Sequence, residues 1–251
     1  MPAVFIGHGS PMNAITDTPF SRVWRTLGKQ LARPSAILAI SAHWYIDRTA
    51  VTAHPHPPTI HDFYGFPKAL HDVRYPAPGD PALADDVINL LKPLAVEADL
   101  SWGLDHGTWS VLLHMYPEAD IPVVQIAIDA SKPPAFHFEL GQRLAALRER
   151  NVLLLGSGNV VHNLRMLGDI HAQYPWADRF DAYVRDALVS RDRDSLTNYR
   201  QHPDAATAAP DPDHYFPLLY IAGARSVADE LRFLIDGKDL ASISMTAFSV
   251  G

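Results

Sequence analysis

The sequence predicts an α/β domain with a central, mostly parallel sheet flanked by helices on both faces. Three observations carry this. Ala36-Ile37-Leu38-Ala39-Ile40 and Val152-Leu153-Leu154-Leu155 are apolar at every position, as strands buried on both faces must be. Such runs alternate with longer segments of helical periodicity. The 251 residues suit one domain, 1–251, and hold neither an internal repeat nor a linker-like stretch.

The elements follow in order. Residues 3–6 read as the first strand. Phe20, Val23, Trp24, Leu27 and Leu31 recur at helical spacing and predict a helix over 19–32. Residues 36–41 are a buried strand, with Thr49–Ala53 pairing beside it. Residues 54–79, rich in Pro, His and aromatics, form a long loop of the kind that is usually functional or mobile. Asp80–Leu91 is a helix with Pro81 in its first turn. Residues 109–116 are a short helix and Pro122–Ala127 a strand. Phe136, Leu140, Leu144 and Leu147 mark an amphipathic helix over 133–150. Residues 152–156 are the next strand and 177–190 a helix. Tyr215–Gly223 is helical, apolar nearly all round and therefore buried. Ser242–Phe248 is the last strand.

Composition narrows the function. A net charge of −7 without any Lys/Arg run argues against a nucleic-acid partner. Cysteine is absent, which removes disulfides, thiolate ligands and a Cys nucleophile. No apolar run reaches membrane-spanning length, and the first residues lack the basic and apolar regions of a signal peptide. A cytoplasmic protein is expected, as a monomer or small homo-oligomer.

The chemistry lies in the 13 histidines. His54, His56, His71, His114, His137, His171 and His202 lack a partner pattern and read as structural or surface residues. His8 and His43 follow strands, and His162 follows Gly156-Ser157-Gly158-Asn159. That glycine-rich turn has free N–H groups able to hold an anion or a substrate oxygen. His214 follows Pro-Asp-Pro-Asp and opens the buried helix. Each alone has an ordinary alternative: a packed, capping or first-turn histidine. Together they point to a metal at the rim where parallel strands end. Imidazoles suit Zn, Cu, Fe and Ni. His106, beside Asp105, reads as an outer acid or a substrate hydrogen-bond partner, or as a satisfied histidine beneath a Trp-lined loop.

Six segments go further. They are Gly7-His8-Gly9-Ser10-Pro11-Met12, Ser41-Ala42-His43-Trp44, Thr59-Ile60-His61-Asp62-Phe63, Leu104-Asp105-His106-Gly107-Thr108-Trp109, Gly158-Asn159-Val160-Val161-His162-Asn163 and His214-Tyr215-Phe216-Pro217-Leu218-Leu219. In this order they resemble the class III extradiol ring-cleavage dioxygenases, nearest the DOPA 4,5-dioxygenase branch. The resemblance implies Fe(II)-dependent opening of a catechol by O2. It implies His8 and His43 as metal ligands, with His214 third where the protocatechuate branch carries a glutamate. It implies His162 as acid/base and His106 as a second catalytic histidine that contacts substrate. The sequence departs from the two-His-one-carboxylate pattern, which raises the site's charge by one. That should weaken the hold on Fe(II), strengthen attraction for a catecholate and favour Zn(II) in purified protein, with His162 as a fourth ligand. His61, Trp44, Tyr64, Trp109 and Phe63 are candidates to line the substrate, and 54–67 is a candidate lid. An amino-acid substrate also needs a partner for its carboxylate: Arg22, Arg165 or a histidine.

Two other classes stay open at this stage. One is a zinc-dependent hydrolase using the same histidines, although no His-Glu-x-x-His is present. The other is a non-catalytic metal-binding or interaction module on the same scaffold.

Overall fold

A computed structural model describes residues 1–169 and 172–251. His171 lies outside the described residues. The main sheet comprises β1 (Ala3–Gly7), β2 (Ala36–Ser41), β3 (Val123–Gln125), β4 (Val152–Gly158), β5 (Leu231–Ile235) and β6 (Ala247–Val250). Its order is β3-β2-β4-β1-β6-β5. The first four strands run parallel; β6 is antiparallel to both its neighbours. The principal helices are α1 (Pro19–Gln30), α2 (Pro81–Leu90), α3 (His106–Met115), α4 (Pro134–Leu144), α5 (Pro175–Ser190) and α6 (Phe216–Gly223).

Strand geometry explains why the central runs are apolar throughout. Successive side chains point to opposite faces, so both sets are buried only if both faces are covered. Phe5, Leu38, Ile40 and Leu154 pack with residues of α2, α4, α5 and α6. Val4, Ile6, Ile37, Ala39, Leu153 and Leu155 pack with Trp24 and Leu27 of α1 and with Trp109 and Leu112 of α3. Helices cover both faces, as the alternation predicts.

The differences lie at the edges. The predicted strand 242–248 is two pieces: Ile243–Ser244 pairs with Lys238–Asp239, and β6 pairs with β1. Between them, the Ser244 and Thr246 hydroxyls both donate to Asp181 on α5 and draw the chain out of a straight strand. Burial raises the pKa of Asp181, against the hydrogen bonds that lower it. Residues 50–52 do not join β2. They pair with Glu97–Asp99, a strand absent from the sequence reading, and meet the β3 edge of the main sheet through the Val51↔Ile126 bridge and the Gln125 N–H, which donates to the Thr52 hydroxyl. The 133–150 helix is α4 followed by a separate four-residue helix at Ala146–Glu149. β5 was not expected: Arg232 interrupts its apolar run, and it is only partly buried at the sheet edge.

One residue closes the ring of elements opposite the site. Arg148 donates to the carbonyls of Met1, Ala224 and Val250 and holds Asp229 through both oxygens. Both side chains are largely buried, at 12% and 13% exposure. The Arg148 hydrogen bond, against a smaller effect of burial, lowers the Asp229 pKa to about 2. Arg148→Met leaves three carbonyls and a carboxylate short of donors. It is expected to cost ~2–4 kcal/mol in urea unfolding at neutral pH. Because the folded pKa of Asp229 is depressed, its stabilisation is complete above the ordinary carboxylate range and fades as pH falls towards about 2. The gap between wild type and Arg148→Met should therefore narrow in acid.

Candidate metal centre and active site

Parallel strands deliver the first two histidines. His8 follows β1 directly and His43 lies two residues past β2. β4 runs between those strands, so both exits lie at one rim. The His8 N–H donates to Gly158 O (3.2 Å) and the Ala42 N–H to Ser157 O (2.9 Å), which pins both exits to the end of β4.

His214 arrives differently. It belongs to the segment that leads into α6, and the glycines of β4 let that segment approach. A Cβ at Gly158 would sit 2.2 Å from the His214 carbonyl oxygen, and one at Gly156 2.8 Å from that of Pro217. The Asn159 N–H donates to the same His214 carbonyl at 2.8 Å. The Gly-Ser-Gly-Asn turn is therefore not an anion-binding helix start. Its Asn159 N–H is committed to His214, and His162 beyond it makes an isolated bridge with Ile243.

One ring nitrogen from each of His8, His43 and His214 falls in a group within 4.8 Å. The Nε2 atoms of His8 and His43 are 3.2 Å apart. Ser157 decides the tautomer of His8. Its single hydroxyl hydrogen goes to Gly107 O, which can only accept, so Ser157 Oγ accepts from His8 Nδ1–H at 3.0 Å. His43 Nδ1 is 2.9 Å from Asp62 Oδ2, and His214 Nδ1 is 3.0 Å from Asp213 Oδ2. Ionised carboxylates only accept, so these rings also keep hydrogen on Nδ1 and a lone pair on Nε2. A proton is a poor occupant among them. Burial, then repulsion between imidazoles, drives His8 and His214 well below the ordinary histidine range. Burial opposes charge on His43 too, but Asp62 and Asp105 outweigh it and raise its pKa. Converging nitrogens, two of them on rings that resist protonation and each ring held from behind, fit a divalent metal.

His106 opens α3, with Asp105 as its N-cap. The Ser41 hydroxyl (2.6 Å) and the Gln125 amide (2.8 Å) donate to Asp105, which is wholly buried. The His106 ring centroid lies 3.9 Å from that of His43, and its Nδ1 is 3.0 Å from Asp62 Oδ1. Asp62 thus faces two imidazoles, at ion-pair distance though off the line of ideal hydrogen bonds. It also accepts from the His106 backbone N–H at 2.9 Å. Burial works against the Asp62 charge, yet the two histidines hold its carboxyl far below the usual range. His106 itself is lowered by burial and then by His43. His162 stacks on His214 with centroids 3.5 Å apart and planes within 6°. It lies outside the group of three close nitrogens, and burial lowers its pKa to about 4.

The other candidates spread out. Phe63 stands edge-on to His106 at 5.5 Å, and His61 lies behind Phe63 with its Nε2 2.9 Å from Val73 O. Trp109 is wholly buried and its indole N–H donates to Ile60 O. Trp44 is buried and stacks on Trp102. Tyr64 is 93% exposed. The 54–67 segment, the candidate lid, is tied down near its middle: the Ile60 N–H donates to Leu104 O, the Leu104 N–H donates to Pro58 O, and Asp62 reaches into the centre. Arg22 is an exposed partner of Asp17. Ser157, Asp62 and Asp213 are the contributors that sequence reasoning missed. Asp62 and Asp213 had only their adjacency to candidate histidines as a signal. Among the described residues, no helix is long and apolar enough to cross a membrane.

Residues 2–244 match the family described as the catalytic LigB subunit of aromatic ring-opening dioxygenase. The chain belongs to the LigB family. This is the class III extradiol dioxygenase family, whose members open aromatic rings at a non-haem metal. Among its relatives, a 4,5-DOPA dioxygenase extradiol of Escherichia coli (strain K12) is 49% identical, covering 100% of this chain and 95% of that protein. A 4,5-DOPA dioxygenase extradiol of Beta vulgaris is 38% identical over 88% of this chain and 85% of its own length. A crystal structure of an uncharacterized Escherichia coli K12 protein superposes with a TM-score of 0.88 at 44% identity, covering 100% of both chains. The LigB chain described here is accordingly an extradiol ring-cleaving dioxygenase, an oxidoreductase.

Gly158→Ala tests how the third histidine is placed. The added methyl must push the His214 backbone away. Overpacking of this kind is expected to cost ~1–3 kcal/mol in thermal unfolding. Metal retained per chain after reconstitution and desalting should fall well below wild type.

Proposed function

We propose that this LigB protein is a cytoplasmic enzyme that cleaves DOPA, or a closely related small catechol, beside its hydroxyls and places both atoms of O2 in the product. The observation that carries this is the trio of inward lone pairs on His8, His43 and His214, in a chain about half identical to a DOPA dioxygenase. Those three residues would hold the metal, Fe(II) in the active enzyme. Bound there, it would supply a Lewis acid for the catechol oxygens and a one-electron route to O2. Zn(II) suits the same nitrogens but lacks that route, and His162, stacked on His214, would be the fourth ligand of a closed zinc site.

The protein's own groups handle the proton. His162, with its pKa lowered to about 4, is neutral at pH 7 and free to accept hydrogen from a substrate hydroxyl. It returns that proton to oxygen as the ring opens. His106, tied by Asp62, presents its far nitrogen to a substrate oxygen. Phe63, edge-on to His106, offers an apolar surface to the ring, with His61 and Trp109 behind it. Trp44 and Tyr64 would act only at the margins. The hydrolase alternative needs a carboxylate on the metal side of the ligands. Asp62 and Asp213 instead face the Nδ1 side of their histidines.

Apo-protein loaded anaerobically with Fe(II) and then given L-DOPA and O2 should consume oxygen and form a yellow ring-opened product. Zn(II)-loaded protein should not. Absence of oxygen uptake across a catechol panel would end the proposal. His162→Ala should lower kcat about 10²- to 10⁴-fold while catechol binding to the metal-loaded protein, followed by titration without O2, stays near wild type.

A further inference from the structure

Three carboxylates stand close to the histidine cluster, and among the described residues none of them pairs with a Lys or Arg. Asp105 is satisfied by a hydroxyl, an amide and a backbone N–H. Asp62 is shared by two imidazoles. Asp213 faces one: its Oδ2 is 3.0 Å from His214 Nδ1, while its Oδ1 is buried and has no hydrogen-bond partner among the described residues. A buried carboxylate oxygen with neither donor nor counter-charge is costly. His214 stands between this carboxylate and the other two imidazoles, with Nδ1 on Asp213 and its far nitrogen towards His8 and His43. A cation held by that far nitrogen would face the carboxylate through the ring.

We propose that Asp213 is a positioning residue that returns, through the imidazole of His214, the negative charge that a carboxylate ligand would bring directly. This rests on the metal-centre reading under the proposed function. It changes the electrostatic expectation for a three-histidine site. Exchanging a carboxylate ligand for neutral imidazole should leave the centre one charge more positive. Here the residue just before that histidine carries the missing charge, one ring away from the metal position. A cation on Nε2 strengthens the Nδ1–H as a donor, and the carboxylate in turn makes Nε2 a better electron-pair donor. Asp62 stands in the same relation to His43 but also orients His106, so its removal would mix two effects. Asp213 isolates the one.

Asp213→Asn and Asp213→Ala separate charge from hydrogen bonding. The Asn side chain keeps the size and an acceptor oxygen for His214 Nδ1–H but not the charge. Apo-proteins are titrated anaerobically with Co(II) and with Fe(II) against a chromophoric chelator at one neutral pH, and the Co(II) d–d spectrum is recorded. Both variants are expected to bind about 10- to 100-fold more weakly than wild type, with the Co(II) spectrum of D213N keeping its band positions. Melting of apo D213N should equal or exceed that of the wild-type apo-protein, because an uncompensated charge is gone. The rise in Tm on adding metal should shrink. Wild-type affinity in D213N would overturn the proposal, as would apo D213N melting well below wild type. Wild-type protein that binds metal as expected but oxidises no catechol would refute the proposed function and leave this assignment standing.

Discussion

Two imidazole nitrogens 3.2 Å apart, close enough to share one cation, are the constraint on which the rest of the structure depends. Without a proton or a metal between them the two lone pairs would repel, so the protein must hold each ring from behind. Ser157 does so for His8, Asp62 for His43 and Asp213 for His214. Two of these holders are fixed in turn, and the third ring is held through its own backbone. Ser157 is locked by Gly107, Asp62 by the backbone of His106, and His214 by the end of β4. The site is thus a set of donors whose directions are chosen by acceptors one layer further out, which is the arrangement that tunes a metal's ligands.

The sheet sets where this happens. Parallel neighbours β1, β4 and β2 end together, and their exits are stitched to one another by backbone hydrogen bonds. Ring opening by O2 needs a metal with positions left for substrate, and a metal held by the three candidate histidines at the rim of a parallel sheet would be open on one side only. The other side is filled by α3 and by the pinned 54–67 segment, which carries Asp62 and Phe63 into place.

The centre of the fold was legible in the sequence and its edges were not. Runs such as Ala36–Ser41 have a single physical explanation, a strand covered on both faces. Leu231–Ile235 does not, because a half-buried edge strand carrying Arg232 has no pattern of its own. The bend before β6 was hidden for another reason: it is imposed by Asp181, far back in the chain. The same division runs through the site. His8 and His43 could be read from the strands they end. His214 read alone as a first-turn histidine and became a ligand candidate through the company of the other histidines and the motif resemblance, since its position depends on what Gly156 and Gly158 leave room for. Asp62 and Asp213 were in plain view, but a carboxylate's role depends on which nitrogen it faces, and that is settled by the path of the loops.

The pairing of β6 with β1 has a consequence for how the molecule is made. The first strand, which leads to His8, is flanked on one side by β4 and on the other by β6, at the far end of the chain. Neither edge of β1 can be covered until most of the polypeptide exists. Contacts of such long sequence separation demand a large loss of chain entropy before they return any stability. The candidate metal site therefore assembles late. During synthesis His8 leaves the ribosome well before His214 and β6, with an apolar strand edge in need of protection in the meantime.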